Sequence, residues 1–220
     1  MTRRLVIFDV DGTLVDSQTH ILAAMAQAFA ALGQQAPARE QVLSIVGLSL
    51  PVAVARLAPG MDASEQARMV AAYKDAFSSL RAKDLSPLYP GAAETLDALS
   101  RQDGLVLGIA TGKSRRGLDH LVAAHGWAGQ FATLQVSDDH PSKPHPAMIH
   151  ACLRETGIAP EHAVMVGDTT YDMEMARAAG IRGLGVSWGY HPAAALGPHV
   201  IDDFAALPAA LTQIWSMGVA

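Results

Sequence analysis

Two carboxylates two residues apart, Asp9 and Asp11, stand where a short apolar run from Leu5 to Phe8 gives way to Gly12. The run reads as a buried strand, and the glycine as the turn that ends it. Residues i and i+2 of an extended backbone point the same way, so both acids should face one pocket at the strand's carboxyl end. Two like charges held so close repel each other unless a cation sits between them or one of them holds a proton. Either arrangement is useful chemistry. Asp and Gly are also ordinary turn residues, and a surface turn is the plain alternative.

Three further polar clusters follow apolar segments. Thr111-Gly112-Lys113 succeeds Leu105 to Ala110. A hydroxyl, a glycine and a helix N-terminus together offer an anion site, although simple capping by Thr111 or Ser114 uses the same residues. Ser142-Lys143-Pro144-His145-Pro146 places a lysine in a loop stiffened by two prolines. Pro144 restricts Lys143 to extended conformations, and a fixed ammonium is a point charge suited to a phosphate. His145 is a substrate-side candidate on the same loop. Gly167-Asp168-Thr169-Thr170-Tyr171-Asp172 follows Ala163 to Val166. The i, i+4 spacing is expected to put Asp168 and Asp172 on one face at the start of a helix. Capping explains any one cluster. It does not explain why all four stand at the ends of apolar segments.

Those segments define the fold that must position them. From about 18 to 83 the chain is rich in Ala, Leu, Met and Gln, with helical periodicity and no strand pattern. Ile21, Met25, Ala28, Phe29 and Leu32 share one helix face. A short helix around Val42 to Val46, a third ending at Leu57 and a longer one through Met69, Tyr73 and Phe77 complete a helical block. After Leu88 strands and helices alternate. Strands are expected at 105–110, 131–136, 163–166 and 183–187, with helices at 114–125, 147–156, 171–179 and 205–215. This alternation predicts an α/β fold: a Rossmann-like parallel sheet with helices on both faces. Ligands in such sheets bind beyond the carboxyl ends of the strands.

Composition narrows the function classes. The 220 residues carry a formal charge of -5, which leaves no electrostatic footprint for nucleic acid. No apolar run approaches the ~20 residues of a membrane span, and the N-terminus lacks the apolar stretch of a signal peptide. A single cysteine, Cys152, precludes an internal disulfide and suits a reducing cytoplasm. Its apolar helical setting makes it a buried structural thiol.

In combination the four clusters resemble the haloacid dehalogenase-like (HAD) superfamily of phosphotransferases, over essentially the whole chain. Asp9-Val10-Asp11-Gly12-Thr13 resembles the first motif, Thr111 the second, Lys143 the third and Gly167-Asp168 through Asp172 the fourth. The helical insert resembles the α-helical cap of the phosphoglycolate phosphatase-like subfamily, and Leu88-Tyr89-Pro90-Gly91 resembles its return to the core. The resemblance implies a core of residues 1–15 and 86–220 and an all-α cap of residues 16–85. It also implies roles. Asp9 would attack phosphorus, and Asp11 would protonate the leaving alcohol and then activate water. Mg²⁺ would be held by the Asp9 carboxylate, the Asp11 backbone carbonyl and Asp168. Thr111 and Lys143 would hold the phosphoryl oxygens, with Gly112 in the same binding set. Asp172 would orient a water or Lys143.

The expected function is a Mg²⁺-dependent phosphatase acting on a small phosphorylated metabolite, as a cytoplasmic monomer or homodimer. Asp11 argues against dehalogenase and phosphonate-cleaving relatives, even though the block contains Lys74 and Lys83. A phosphomutase resembling beta-phosphoglucomutase and a phosphoacceptor module are the alternatives. One position departs from the pattern: phosphoglycolate phosphatases often carry Asn where this chain has Gly112. The Gly47-Leu48-Ser49-Leu50 turn resembles the cap's specificity loop. His20, Arg115 and Arg116 are further candidates to face the cleft, each with a plain solvated-helix alternative.

Overall fold

The computed structural model describes residues 2–217. Its centre is a sheet of β1 (Arg4–Phe8), β2 (Leu105–Thr111), β3 (Thr133–Val136), β4 (Ala163–Gly167), β5 (Arg182–Val186) and β6 (Val200–Ile201). The strands run in the order β3-β2-β1-β4-β5-β6, and every pairing is parallel. This is the Rossmann-like α/β architecture that the alternation predicts. Side-chain period two splits the sheet into two faces. Val6, Phe8, Leu107, Ile109, Val164 and Val166 pack with α5 (Ala92–Ser100), α6 (Arg115–Ala124) and α9 (Leu207–Ser216). Leu5, Ile7, Ala110 and Met165 pack on the other side with α7 (Ala147–Thr156) and α8 (Thr170–Ala178). Cys152 is fully buried on this second face, and burial pushes its thiol up to about 12. It is a packing residue.

Between β1 and β2 lie α1 (Gln18–Ala31), α2 (Arg39–Leu43), α3 (Leu50–Leu57) and α4 (Ala63–Arg81). They close around their own apolar cluster, centred on Ile21, Met25, Phe29, Val54 and Met69. Asp62 caps α4 reciprocally with Glu65, satisfying two amides that the helix start would otherwise leave unpaired. The chain crosses between this block and the sheet twice, and the crossings are tied together. Asp16 N donates to Pro87 O at 2.9 Å and Tyr89 N to Leu14 O at 3.0 Å. Among the described residues, no helix is long and apolar enough to cross a membrane.

Several elements differ from the sequence reading. Helix α5 has no counterpart among the expected elements, although Ala92, Leu96 and Leu99 repeat at helical spacing and all are buried. β6 is only two residues long, too short for a periodicity. β3 starts at Thr133 rather than Phe131, because Phe131 turns into the core against Trp127, with ring centroids 5.6 Å apart. The last helix begins at Leu207, where Pro208 fixes its first turn after a 3₁₀ turn at Phe204–Ala206. α8 starts at Thr170 with Thr169 as its N-cap, so Asp168 lies outside the helix. Asp168 and Asp172 therefore do not share a helix face.

Candidate active site

Strand register brings the polar clusters together. Phe8 pairs with Ile109 on one side and Val166 on the other, so Asp9, Thr111 and Asp168 emerge from three adjacent strands at one edge. Asp9 N donates to Val166 O at 2.9 Å, which carries the ladder one residue past the strand. The Asp9 side chain is 1% exposed, and neither carboxylate oxygen makes a hydrogen bond among the described residues. Lys143 Nζ stands 3.0 Å from Asp9 Oδ2 and 2.6 Å from Asp172 Oδ1, with no exposed side-chain surface of its own.

Asp172 is fixed from behind. Its Oδ2 accepts from the Thr169 amide at 3.1 Å and from the Thr169 hydroxyl at 2.7 Å. Asp168 accepts from the Thr13 hydroxyl at 2.8 Å and from the Tyr190 amide at 2.9 Å. Gly12 makes room for this. Its φ is +81°, and a Cβ there would lie 2.2 Å from Asp168 Oδ2. The Thr13 and Tyr190 contacts had no sequence signal, because a threonine in a turn and a Gly-Tyr pair in a loop announce no partner.

Ligand atoms of Asp9, Asp168 and Asp172 lie within 4.8 Å of one another. Burial drives the Asp9 carboxyl up to about 7; Lys143 opposes the rise and Asp172 adds to it. Burial likewise raises Asp168 well above the usual carboxylate range, helped by Asp172 and Asp9. Burial disfavours the Lys143 charge, but Asp172 and Asp9 outweigh it and raise its pKa. Three buried carboxylates against one ammonium leave two negative charges unmatched, and Asp9 keeps two oxygens free of hydrogen bonds. Hard oxygen donors with that deficit fit a divalent cation such as Mg²⁺.

Asp11 solves its electrostatics separately. Lys113 Nζ donates to Asp11 Oδ1 at 2.8 Å and to Oδ2 at 2.9 Å, and the Ser17 hydroxyl donates to Oδ1. Lys113 thus matches the Asp11 charge, whereas Lys143 is shared between Asp9 and Asp172. Asp9, Asp11, Thr111, Gly112 and Lys113 share the wall of a cavity of about 610 Å³ between the helical block and the sheet edge. Lys143, Asp168 and Asp172 stand behind Asp9 rather than on that wall. Ile21, Met25, Leu48, Leu50, Tyr73 and Phe77 supply an apolar opposite side.

Gly112 has a steric reason to be glycine. A Cβ there would lie 2.6 Å from Gly47 O and 2.8 Å from Leu48 O, so the bare backbone lets the 47–49 turn seat against the end of β2. Ser49 N also donates to Ser142 Oγ at 2.9 Å, and the Tyr171 hydroxyl to Ser44 O at 3.0 Å. Ser114, not Thr111, caps α6.

The remaining candidates sort clearly. His145 is exposed, and its Nδ1 accepts from the Ala147 amide at 3.2 Å, a helix-start contact. His20 Nδ1 lies 2.6 Å from Ser86 Oγ, which links α1 to the second crossing. Arg115 is occupied by Asp139 and Leu134 O, both at 2.9 Å. Arg116 and Lys74 line the cavity; Lys83 does not.

Known proteins are similar to this chain in sequence and fold. The family model for haloacid dehalogenase-like hydrolases matches residues 6–186. A phosphoglycolate phosphatase of Pseudomonas putida is 34% identical over 217 residues, covering 93% of this chain and 78% of its own length. One from Vibrio parahaemolyticus is 32% identical over 212 residues, covering 91% and 92%. A crystal structure of a predicted phosphoglycolate phosphatase from Haemophilus somnus superposes with a TM-score of 0.84 at 26% identity, covering 95% of this chain and 98% of that one.

Proposed function

Because the chain belongs to the haloacid dehalogenase-like hydrolase family and is a phosphatase, we propose that it hydrolyses a small phosphate monoester through an aspartyl-phosphate intermediate with Mg²⁺ bound. The observation that carries this reading is Asp9: a buried carboxylate at the cavity edge with both oxygens free of hydrogen bonds and an ammonium 3.0 Å away. Covalent catalysis by a carboxylate splits one difficult displacement into two easier ones. Lys143 opposes the burial that raises Asp9, favouring the ionised form needed for attack, and offsets the charge that gathers on the transferring group. The Thr111 hydroxyl and the Gly112 amide, on the cavity wall, receive phosphoryl oxygens.

Asp11 is the proton carrier. It delivers a proton to the leaving oxygen and then removes one from the water that attacks the intermediate. Its bonds from Lys113 and Ser17 fix its carboxylate over the cavity. Asp172 positions Lys143 through the 2.6 Å contact. The cation would be held by Asp9, Asp168 and the Asp11 backbone carbonyl. When bound it supplies positive charge to the phosphoryl oxygens.

Residues 16–85 act as a cap over a core formed by 1–15 and 86–220, and the substrate is a small phosphorylated metabolite bound between them. The relatives named phosphoglycolate phosphatase favour a two-carbon ester of that kind. A cytoplasmic location accords with the single cysteine. Turnover of an aryl phosphate, with and without Mg²⁺ and with Asp9→Asn as control, tests the reading. Metal-dependent release of inorganic phosphate that Asp9→Asn abolishes is the expected result, and turnover that survives both changes overturns it.

A further inference from the structure

We propose that Tyr190 is a positioning residue for the leaving-group step: through the Ser17 hydroxyl it fixes which oxygen of the Asp11 carboxylate serves the leaving group. The proposal rests on the phosphatase reading. It adds to that reading a side chain that acts only through another.

Ser17 gives the first sign. It stands at the N-cap of α1 and is 1% exposed, yet its hydroxyl makes no bond to the helix start. Serine is favoured at that position because its oxygen accepts an otherwise unpaired amide of the first turn. Here the hydroxyl turns to Asp11 Oδ1 instead. A hydroxyl has one proton to give. Ser17 spends it on the carboxylate, so in its 3.2 Å contact with the Tyr190 hydroxyl Ser17 accepts and Tyr190 donates. Burial, and Asp11 after it, push the Tyr190 pKa above the ordinary tyrosine range, which keeps that proton in place. The chain from Tyr190 to Ser17 to Asp11 therefore has one direction, and each bond in it strengthens the next.

The consequence for Asp11 is an asymmetry between its oxygens. Each carboxylate oxygen offers two acceptor sites. Oδ1 takes both Lys113 Nζ and the Ser17 hydroxyl, whereas Oδ2 takes Lys113 alone, at 2.9 Å. Among the described residues Oδ2 is thus the oxygen with a site left to exchange with a leaving group in the cavity that Asp11 lines.

Tyr190 is itself held from two sides. Its amide donates to Asp168 Oδ2 at 2.9 Å. Two glycines permit that approach: a Cβ at Gly189 would lie 2.1 Å from Asp168 Cβ, and one at Gly12 would lie 2.6 Å from Tyr190 Cε2. The ring packs on the apolar cluster of the helical block. Packing alone requires only the ring. The hydroxyl is the part that reaches Ser17.

The test compares phosphate esters whose leaving groups need a proton to different degrees. Phenolate is a poor leaving group without one, and dinitrophenolate departs readily without it. With Mg²⁺ present, kcat/KM for phenyl phosphate and for dinitrophenyl phosphate is measured in the parent, Tyr190→Phe, Ser17→Ala and the double variant. Tyr171→Phe is the control, since its hydroxyl bonds Ser44 O and Arg56 between the helical block and the core, away from Asp11. Tyr190→Phe should slow phenyl phosphate on the order of tenfold and dinitrophenyl phosphate less than about twofold. Ser17→Ala should show the same selectivity, and adding Tyr190→Phe to it should change nothing further. Ser17→Thr, which keeps a hydroxyl, should restore the parent's ratio, and Tyr171→Phe should leave that ratio unchanged. Urea melts of the metal-free proteins read the same bond without turnover: the two losses should be less than additive in the double variant. Equal slowing of both esters by Tyr190→Phe, no slowing of either, or independent effects of the two substitutions overturns the positioning role alone. A parent that releases no phosphate from either ester overturns the phosphatase reading and this role with it.

Discussion

Replacing Lys143 by Met removes the single ammonium from a buried group of three carboxylates while keeping a long side chain of similar volume. Its Nζ lies 2.6 Å from Asp172 and 3.0 Å from Asp9, and none of the three side chains has more than 1% exposure. Breaking a buried pair by removing one partner costs about 3–5 kcal/mol. For a chain of this size each kcal/mol moves Tm by about 2–4 °C, so the metal-free variant should melt roughly 6–20 °C below the parent at pH 8. The deficit depends on pH in a defined direction. A carboxyl whose folded pKa is raised above its unfolded value contributes stability that is fully present below the unfolded value and is lost as pH rises through the folded one. Asp9 already stands at about 7 with Lys143 present, and without Lys143 it is held higher still. The variant should therefore lose more stability than the parent between about pH 4 and 8, and its Tm deficit should be narrower at pH 5 than at pH 8. Thermal melts in chelator at both pH values measure this. An equal deficit at the two values, or none at pH 8, refutes the charge balance assigned to the site.

Thr13→Val deletes the hydroxyl that donates to Asp168 at 2.8 Å; a hydrogen bond to a buried charged group contributes about 1.5–3 kcal/mol, and urea melts at pH 8 should show a loss of that size with an unchanged m-value. Gly112→Asn places a side chain where a Cβ alone meets Gly47 O at 2.6 Å; it should displace the 47–49 turn, visible as faster amide exchange at Ser49, whose N–H bonds Ser142. Unchanged exchange there would contradict the steric reading of Gly112. Mg²⁺ must displace the Asp9 proton, so its affinity should fall by about tenfold per unit as pH drops below about 7. Calorimetry in buffers of different ionisation enthalpy should register protons released on binding at pH 6.5, and a flat profile without release would count against Asp9 as a ligand.

Most of the fold was legible because apolar runs and helical periodicity survive in a single sequence. Leu5 to Phe8, Leu105 to Ala110 and Ala163 to Val166 become the three central strands. β6 was lost to its length, and α5 to an Ala-rich pattern that gave way to louder neighbours. The cluster residues were legible as strand-end polar groups, but their partnerships were not. Lys143 reads as a loop lysine in sequence, and only the three-dimensional packing makes it the buried counter-charge of Asp9 and Asp172. Lys113 was noticed for its basic character, while its hold on Asp11 spans 102 residues of chain. Asp168 and Asp172 were paired through helix spacing; their proximity instead arises from the turn between β4 and α8. Gly112 looked like a missing side chain and is a point of close backbone contact.

The central claim is that Asp9 carries the phosphoryl group, and borohydride trapping tests it most directly. The enzyme is acid-quenched during turnover, reduced, digested and sequenced by mass spectrometry. An aspartyl phosphate is reduced to homoserine, so the account predicts homoserine at position 9 in a fraction that depends on substrate and Mg²⁺. Homoserine at Asp11 or another acid, or an unmodified Asp9 in enzyme that is turning over with the intermediate accumulated, would contradict it.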